Sequence, residues 1–163
     1  MKTSGNNFIT KLFIFILIMS VAGCNNTENT KGRRPAGGNV SGEISWYASF
    51  EEGMRNAALE KKPVMVDFFA DWCHWCRKLD KETYADERVV KMAEMFVCIK
   101  VDTENDRETP AKYQVRGLPT IFYLDHTGSP LIKMAGFCSA DRMLEDMRAV
   151  NEIYKLKGKT GNE

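Results

Sequence analysis

Five cysteines are spread through 163 residues, and two of them stand three apart in Trp72-Cys73-His74-Trp75-Cys76. Sulfurs at positions i and i+3 of a helix lie on one face and reach bonding distance without rearranging the backbone. Such a pair supports reversible disulfide formation. If the helix starts at the first cysteine, that sulfur sits among N–H groups lacking intrahelical partners, at the positive end of the dipole, where thiolate is favoured over thiol. Cys73 is then the nucleophile, and Cys76, a turn deeper, resolves the mixed disulfide. Two other uses of the pair stay open at this point. A structural zinc site needs four ligands, and no second CxxC or HxxxH pair accompanies this one. A static disulfide suits an oxidising compartment. Covalent haem attachment needs a histidine after the second cysteine, where Arg77 stands.

The surrounding pattern has to place those sulfurs. Pro63 to Ala70 is nearly continuously apolar, as expected of a central strand buried on both faces, and Asp67 is its one charge. A carboxyl there is costly unless partnered or neutralised by a raised pKa, which marks Asp67 as a candidate acid–base group. The strand feeds a helix from about Cys73 to Lys81. Before it, Ile44-Ser45-Trp46 is a short strand candidate, and Ser49 with Glu52 reads as a capping box for a helix to about Lys61. Downstream, Asp86 caps a helix from Glu87 to Met95, and Phe96 to Val101 is a strand. Thr109 reads as an N-cap with Pro110 at the first helical position. Thr120 to Leu124 and Leu131 to Ala135 form strands around the turn Asp125-His126-Thr127-Gly128. A last helix begins at Ser139 or Asp141, with Met143, Leu144, Met147, Val150 and Tyr154 on its inner face. Strands alternating with helices and ending in a hairpin predict an α/β sandwich with a mixed sheet. Cys98 and Cys138 read as buried small hydrophobes, and Met92 and Met95 as core residues.

A net charge of +1, with 44% hydrophobic and 28% charged residues, describes one globular domain and argues against a nucleic-acid partner. The N-terminus differs. Lys2 and Lys11 precede an apolar run from Leu12 of about 11 residues, short of the roughly 20 that span a bilayer, with small residues at Ser20, Ala22 and Gly23. Residues 1–23 therefore read as an export signal. Val21-Ala22-Gly23-Cys24 resembles the lipobox of bacterial lipoproteins, which implies lipidation at Cys24. Residues 24–42 are polar with almost no apolar side chain, a flexible tether with a reach of about 20–25 Å. The domain proper is expected over 43–157, followed by a disordered tail at 158–163.

Two separated segments carry a further resemblance. Val66-Asp67-Phe68-Phe69-Ala70-Asp71-Trp72-Cys73 with Cys76, and Thr109 to Thr120 ending in Gly117-Leu118-Pro119-Thr120, resemble the two signatures of the thioredoxin superfamily. Asp71-Trp72-Cys73 through Thr83-Tyr84-Ala85-Asp86 is most similar to the C-terminal periplasmic thioredoxin-like domain of membrane thiol:disulfide interchange proteins. The resemblance implies a three-layer α/β/α sandwich with a four- to five-stranded mixed sheet, and a monomeric dithiol–disulfide exchanger without cofactor or metal. It assigns Cys73 and Cys76 to exchange and Asp67 to deprotonation of Cys76. Pro119 becomes a cis-proline beside the disulfide, with Leu118 offering backbone groups to an extended substrate. Trp72, His74 and Trp75 line the same approach. Where many members place a lysine near the buried acid, this alignment puts Cys98. Implied partners are envelope proteins with disulfides or oxidised thiols and a membrane-embedded electron donor, with the domain held by lipid at the extracytoplasmic face of a bacterial membrane and acting as a reductase. The competing expectation is a non-catalytic metal or assembly chaperone that uses the pair as soft ligands.

Overall fold

A computed structural model describes residues 42–160. The expected export signal, Cys24 and nearly all of the tether lie outside the described residues. Five strands form one sheet in the order β1-β3-β2-β4-β5. They are β1 (Trp46–Tyr47), β2 (Val64–Phe69), β3 (Val97–Asp102), β4 (Thr120–Leu124) and β5 (Pro130–Ala135). The first three run parallel, β4 runs antiparallel to β2, and β5, antiparallel to β4, returns to the direction of the first three. The sheet is mixed, as the alternating pattern predicts, with five strands. Pro130 opens the outer strand β5, a position where a missing N–H leaves no gap in the ladder.

Side chains alternate across β2. Val64, Val66 and Phe68 enter one core with Ile99, Phe122 and Leu124, which α1 (Phe50–Glu60) and α4 (Glu108–Lys112) flank. Met65 enters the other with Leu79, Val89, Tyr123, Met143 and Met147, beneath α2 (His74–Glu82), α3 (Glu87–Ala93) and α5 (Ala140–Thr160). Three layers result, with two cores separated by one sheet. Asp67 falls on the Met65 face, the side covered by α2.

Local chemistry sets the helix limits. Ser49 Oγ accepts the Glu52 N–H at 3.2 Å and closes the start of α1. Its hydroxyl donates to Glu51 at 3.0 Å, a bond different from the carboxylate-to-Ser49 N–H contact that a capping box would add. Lys61 ends α1 in the left-handed region. Helix α4 starts earlier than Thr109-Pro110 suggests. Asp106 accepts the N–H groups of Glu108 and Thr109 and the Thr109 hydroxyl, and so caps the helix from upstream. Pro110 is tolerated in the first turn, where an N–H has no intrahelical acceptor. Helix α3 ends at Ala93, leaving Met92 against the core and Met95 exposed. Helix α5 continues to Thr160, into the segment expected to be a tail. Its Met143, Leu144, Met147 and Val150 are buried, whereas Tyr154 is half-buried and meets His126 Nδ1 at 2.7 Å. No described helix is long and apolar enough to cross a membrane.

Candidate active site

Strand β2 ends at Phe69, and the chain turns through Ala70-Asp71-Trp72 into α2. Cys73 N donates to Ala70 O at 3.0 Å, which tightens this turn. Cys73 is the N-cap of α2, and its sulfur accepts the N–H of Cys76 at 3.1 Å. The two cysteines are joined as a disulfide with Cα atoms 5.3 Å apart. Both are buried, at 4% and 3% exposure, so accessibility does not separate them as a turn of depth would suggest. The asymmetry lies in the capping position: the Cys73 sulfur faces a helix N-terminus that stabilises negative charge, and Cys76 lies within the first turn.

Around the disulfide, Leu118 and Phe69 pack on Ala70, Cys73 and Cys76. The Leu118–Pro119 peptide is cis, and Pro119 is buried. Trp72 and Trp75 are open to solvent at 67% and 51% exposure, unusual for indoles, and His74 is exposed with its ring edge-on to Trp75. Phe137, which sequence reasoning did not single out, lies 6.0 Å from the Trp75 ring, and Lys78 Nζ lies 4.6 Å from Phe137. An aromatic residue just after Gly136, where the last strand ends, was the available signal.

Asp67 is 1% exposed. Burial is the main cause that lifts its pKa from 3.8 to about 7, and Lys100 opposes that rise. The sequence alignment placed Cys98 beside this acid, and the register corrects it. Asp67 pairs with Lys100, and Cys98 pairs with Met65. Lys100 Nζ stands 3.7 Å from Asp67 Oδ2 and 2.5 Å from Asp80 Oδ1. Asp80 sits one helical turn beyond Cys76, so the ammonium ties the buried acid to the helix that carries the resolving sulfur. A single lysine in the otherwise apolar stretch from Phe96 to Val101 was the sequence signal for it. Cys138 is buried, and burial ahead of the nearby Asp146 lifts its thiol to about 11; Cys98 also lies in that core.

The arrangement can pass two electrons between a dithiol and a disulfide, with a buried carboxyl poised to exchange a proton near neutrality. Comparison with known proteins gives the same answer. The thioredoxin-like family model matches residues 45–132. The thiol:disulfide interchange protein DsbD of Campylobacter jejuni is 36% identical over 101 residues, 60% of this chain and 18% of that protein. The chain thus spans about a fifth of the length of this curated relative. The crystal structure of the Neisseria meningitidis DsbD C-terminal domain in the reduced form is 30% identical, covering 61% of this chain and 91% of that one, with a TM-score of 0.54. A thioredoxin from Thermus thermophilus, 22% identical with a TM-score of 0.64, covers 74% of this chain and 97% of its own and shares the fold.

Proposed function

Given that the chain belongs to the thioredoxin-like family of disulfide oxidoreductases, we propose that it reduces disulfides in proteins of the bacterial envelope through Cys73 and Cys76. The single observation that carries the reading is the Cys73 sulfur capping α2 on the Cys76 N–H, directly after the strand that holds Asp67. In the dithiol state the Cys73 thiolate attacks a client disulfide, and one client sulfur leaves as a thiol after taking up a proton. Cys76 then gives its proton to the Asp67 carboxylate and attacks Cys73 Sγ. The mixed disulfide breaks, the second client sulfur departs, and the Cys73–Cys76 bond closes. The client has gained two electrons and the pair has lost them. The Lys100 ammonium, held at 2.5 Å by the partly exposed Asp80, faces Asp67 and favours its ionised form. Leu118 backbone groups beside Pro119 bind the extended client, with Trp72, His74 and Trp75 lining its path.

Likeness to the interchange-protein domain supports the reductase direction and a membrane-embedded dithiol as the electron donor. The Val21-Ala22-Gly23-Cys24 pattern behind a short apolar run supports lipid attachment at Cys24, and with it a tethered domain at the extracytoplasmic face. The test is catalysed reduction of insulin disulfides by dithiothreitol, paired with the reduction potential of Cys73–Cys76. A reductase shows turnover and a potential below that of its clients. Absence of turnover in the intact dithiol protein contradicts the reading. Separately, Cys24→Ser moves the protein from the membrane to the soluble fraction or leaves it unprocessed, and a mature protein of unmodified mass rules the anchor out.

A further inference from the structure

Every element packed against Asp67 turns a titratable or charged group toward it. Lys100 comes from β3, Asp80 from α2, and Tyr84 from two residues past the end of α2. Tyr123 of β4 and Cys138, just ahead of α5, complete the set that feels its charge. The two carboxyl oxygens are not equally served. Oδ2 faces the Lys100 ammonium, which Asp80 holds more closely from the other side. Oδ1 is buried and makes no hydrogen bond of ordinary geometry, and the buried hydroxyl of Tyr84 makes none either. Lys100 Nζ, 3.7 Å from Asp67 Oδ2 and 5.7 Å from the Tyr84 ring centroid, gathers both groups about one partly buried cation, and a native fold rarely leaves two such groups unused.

Tyr84 is held in place by more than its hydroxyl. Its ring is 5% exposed, packs edge-on against Trp46 at a centroid distance of 4.9 Å, and carries Lys100 Nζ 5.7 Å from its centroid. Burial, ahead of the Asp67 charge, keeps the phenol protonated well above its ordinary range, so it remains a donor throughout the working pH. A hydroxyl donates more strongly to a carboxylate than to a neutral acid.

We propose that Tyr84 is a positioning residue for the exchange reaction: its hydroxyl donates to the ionised form of Asp67 and keeps that carboxylate available as the base for Cys76. The inference rests on Asp67 taking the Cys76 proton. Phenylalanine at 84 preserves the ring contacts with Trp46 and removes only the donor.

The experiment follows the reduced full-length protein mixed with 5,5′-dithiobis(2-nitrobenzoate). The first nitrothiobenzoate released reports attack by Cys73, and the second reports ring closure by Cys76. In Tyr84→Phe the acid limb of the second phase moves up by about one pH unit, the scale of one hydrogen bond to a charged group. Well below the limb the second phase slows about tenfold, well above it the rates converge, and the first phase is unchanged. In an Asp67→Asn background the same change does nothing. A Tyr84→Phe limb that coincides with the parent, where Asp67→Asn has abolished it, overturns the role of Tyr84 alone. An Asp67→Asn protein that keeps the parental limb overturns the base assignment and this proposal with it.

Discussion

At the scale of single residues, the site combines a sulfur stabilised as an anion with an acid destabilised as one. Cys73 gains from the helix N-terminus, whereas Asp67 suffers from burial that Lys100 only partly offsets. The second effect reaches beyond chemistry. Between about pH 4 and about 7 the folded protein keeps a proton on Asp67 that the unfolded chain has released. Asp67 therefore weakens the fold progressively as pH rises through that window, and by its full amount above it. A raise of that size sets a ceiling of roughly 4 kcal/mol, and on the order of 1–3 kcal/mol is a reasonable expectation once the structure relaxes. Asp67→Asn should stabilise the protein at about pH 8 and leave it nearly unchanged at about pH 4, as read by urea unfolding at both values. The same variant should slow turnover near neutrality. Unchanged turnover across about pH 6–9, the range of thiol titration, contradicts its role as base. Asp67 was legible in the sequence because a lone carboxyl in an apolar strand demands a reason. Lys100 was not recognised, since the partner of a strand residue depends on register, and an offset of two residues substitutes Cys98.

At the scale of elements, the site exists because β2 stops and α2 starts within four residues. Helix signals were readable where a side chain acts locally: Ser49 and Asp86 cap α1 and α3 as their positions suggest. Thr109 misled because Asp106 reaches the same N–H groups from further upstream. The close seat of α1 on β3 was not legible either, as it depends on one glycine. A Cβ on Gly53 would lie 2.5 Å from both Cδ1 and Cγ1 of the fully buried Ile99. Overpacking of that kind costs about 1–3 kcal/mol, against the roughly 1 kcal/mol that alanine gains over glycine within a helix. Gly53→Ala should thus lose stability on balance by about 1 kcal/mol, measured by chemical denaturation, with Ile99→Val in the same chain recovering part of it. A neutral or stabilising Gly53→Ala contradicts the tight seat.

At the scale of the whole molecule, three parallel strands and one antiparallel neighbour bring chain segments distant in sequence to a common end of the sheet. There Phe69 leads into the disulfide loop, Thr120 follows the cis-proline, and Ala135 leads to Gly136 and Phe137. The N-terminal chain enters with β1 at the opposite end, since Trp46 pairs with Cys98 near the start of β3. The sandwich also shields two thiols from the chemistry. Cys98 and Cys138 lie in the core beneath α3 and α5, and burial lifts the Cys138 thiol to about 11, so iodoacetamide should label them only on unfolding, while Cys73, equally buried but set at a helix N-terminus that favours thiolate, reacts in the reduced native protein. Rapid native labelling of Cys138 contradicts that packing. The central claim is that Cys73 attacks and Cys76 resolves, and trapping tests it most directly. With Cys76→Ser, the mixed disulfide between Cys73 and a client has no internal thiol to release it, and clients should accumulate as adducts that dithiothreitol removes on a non-reducing gel. With Cys73→Ser adducts should be scarce, although both variants lose activity. Adducts that gather instead on the Cys73→Ser protein would contradict the account, whatever the fold.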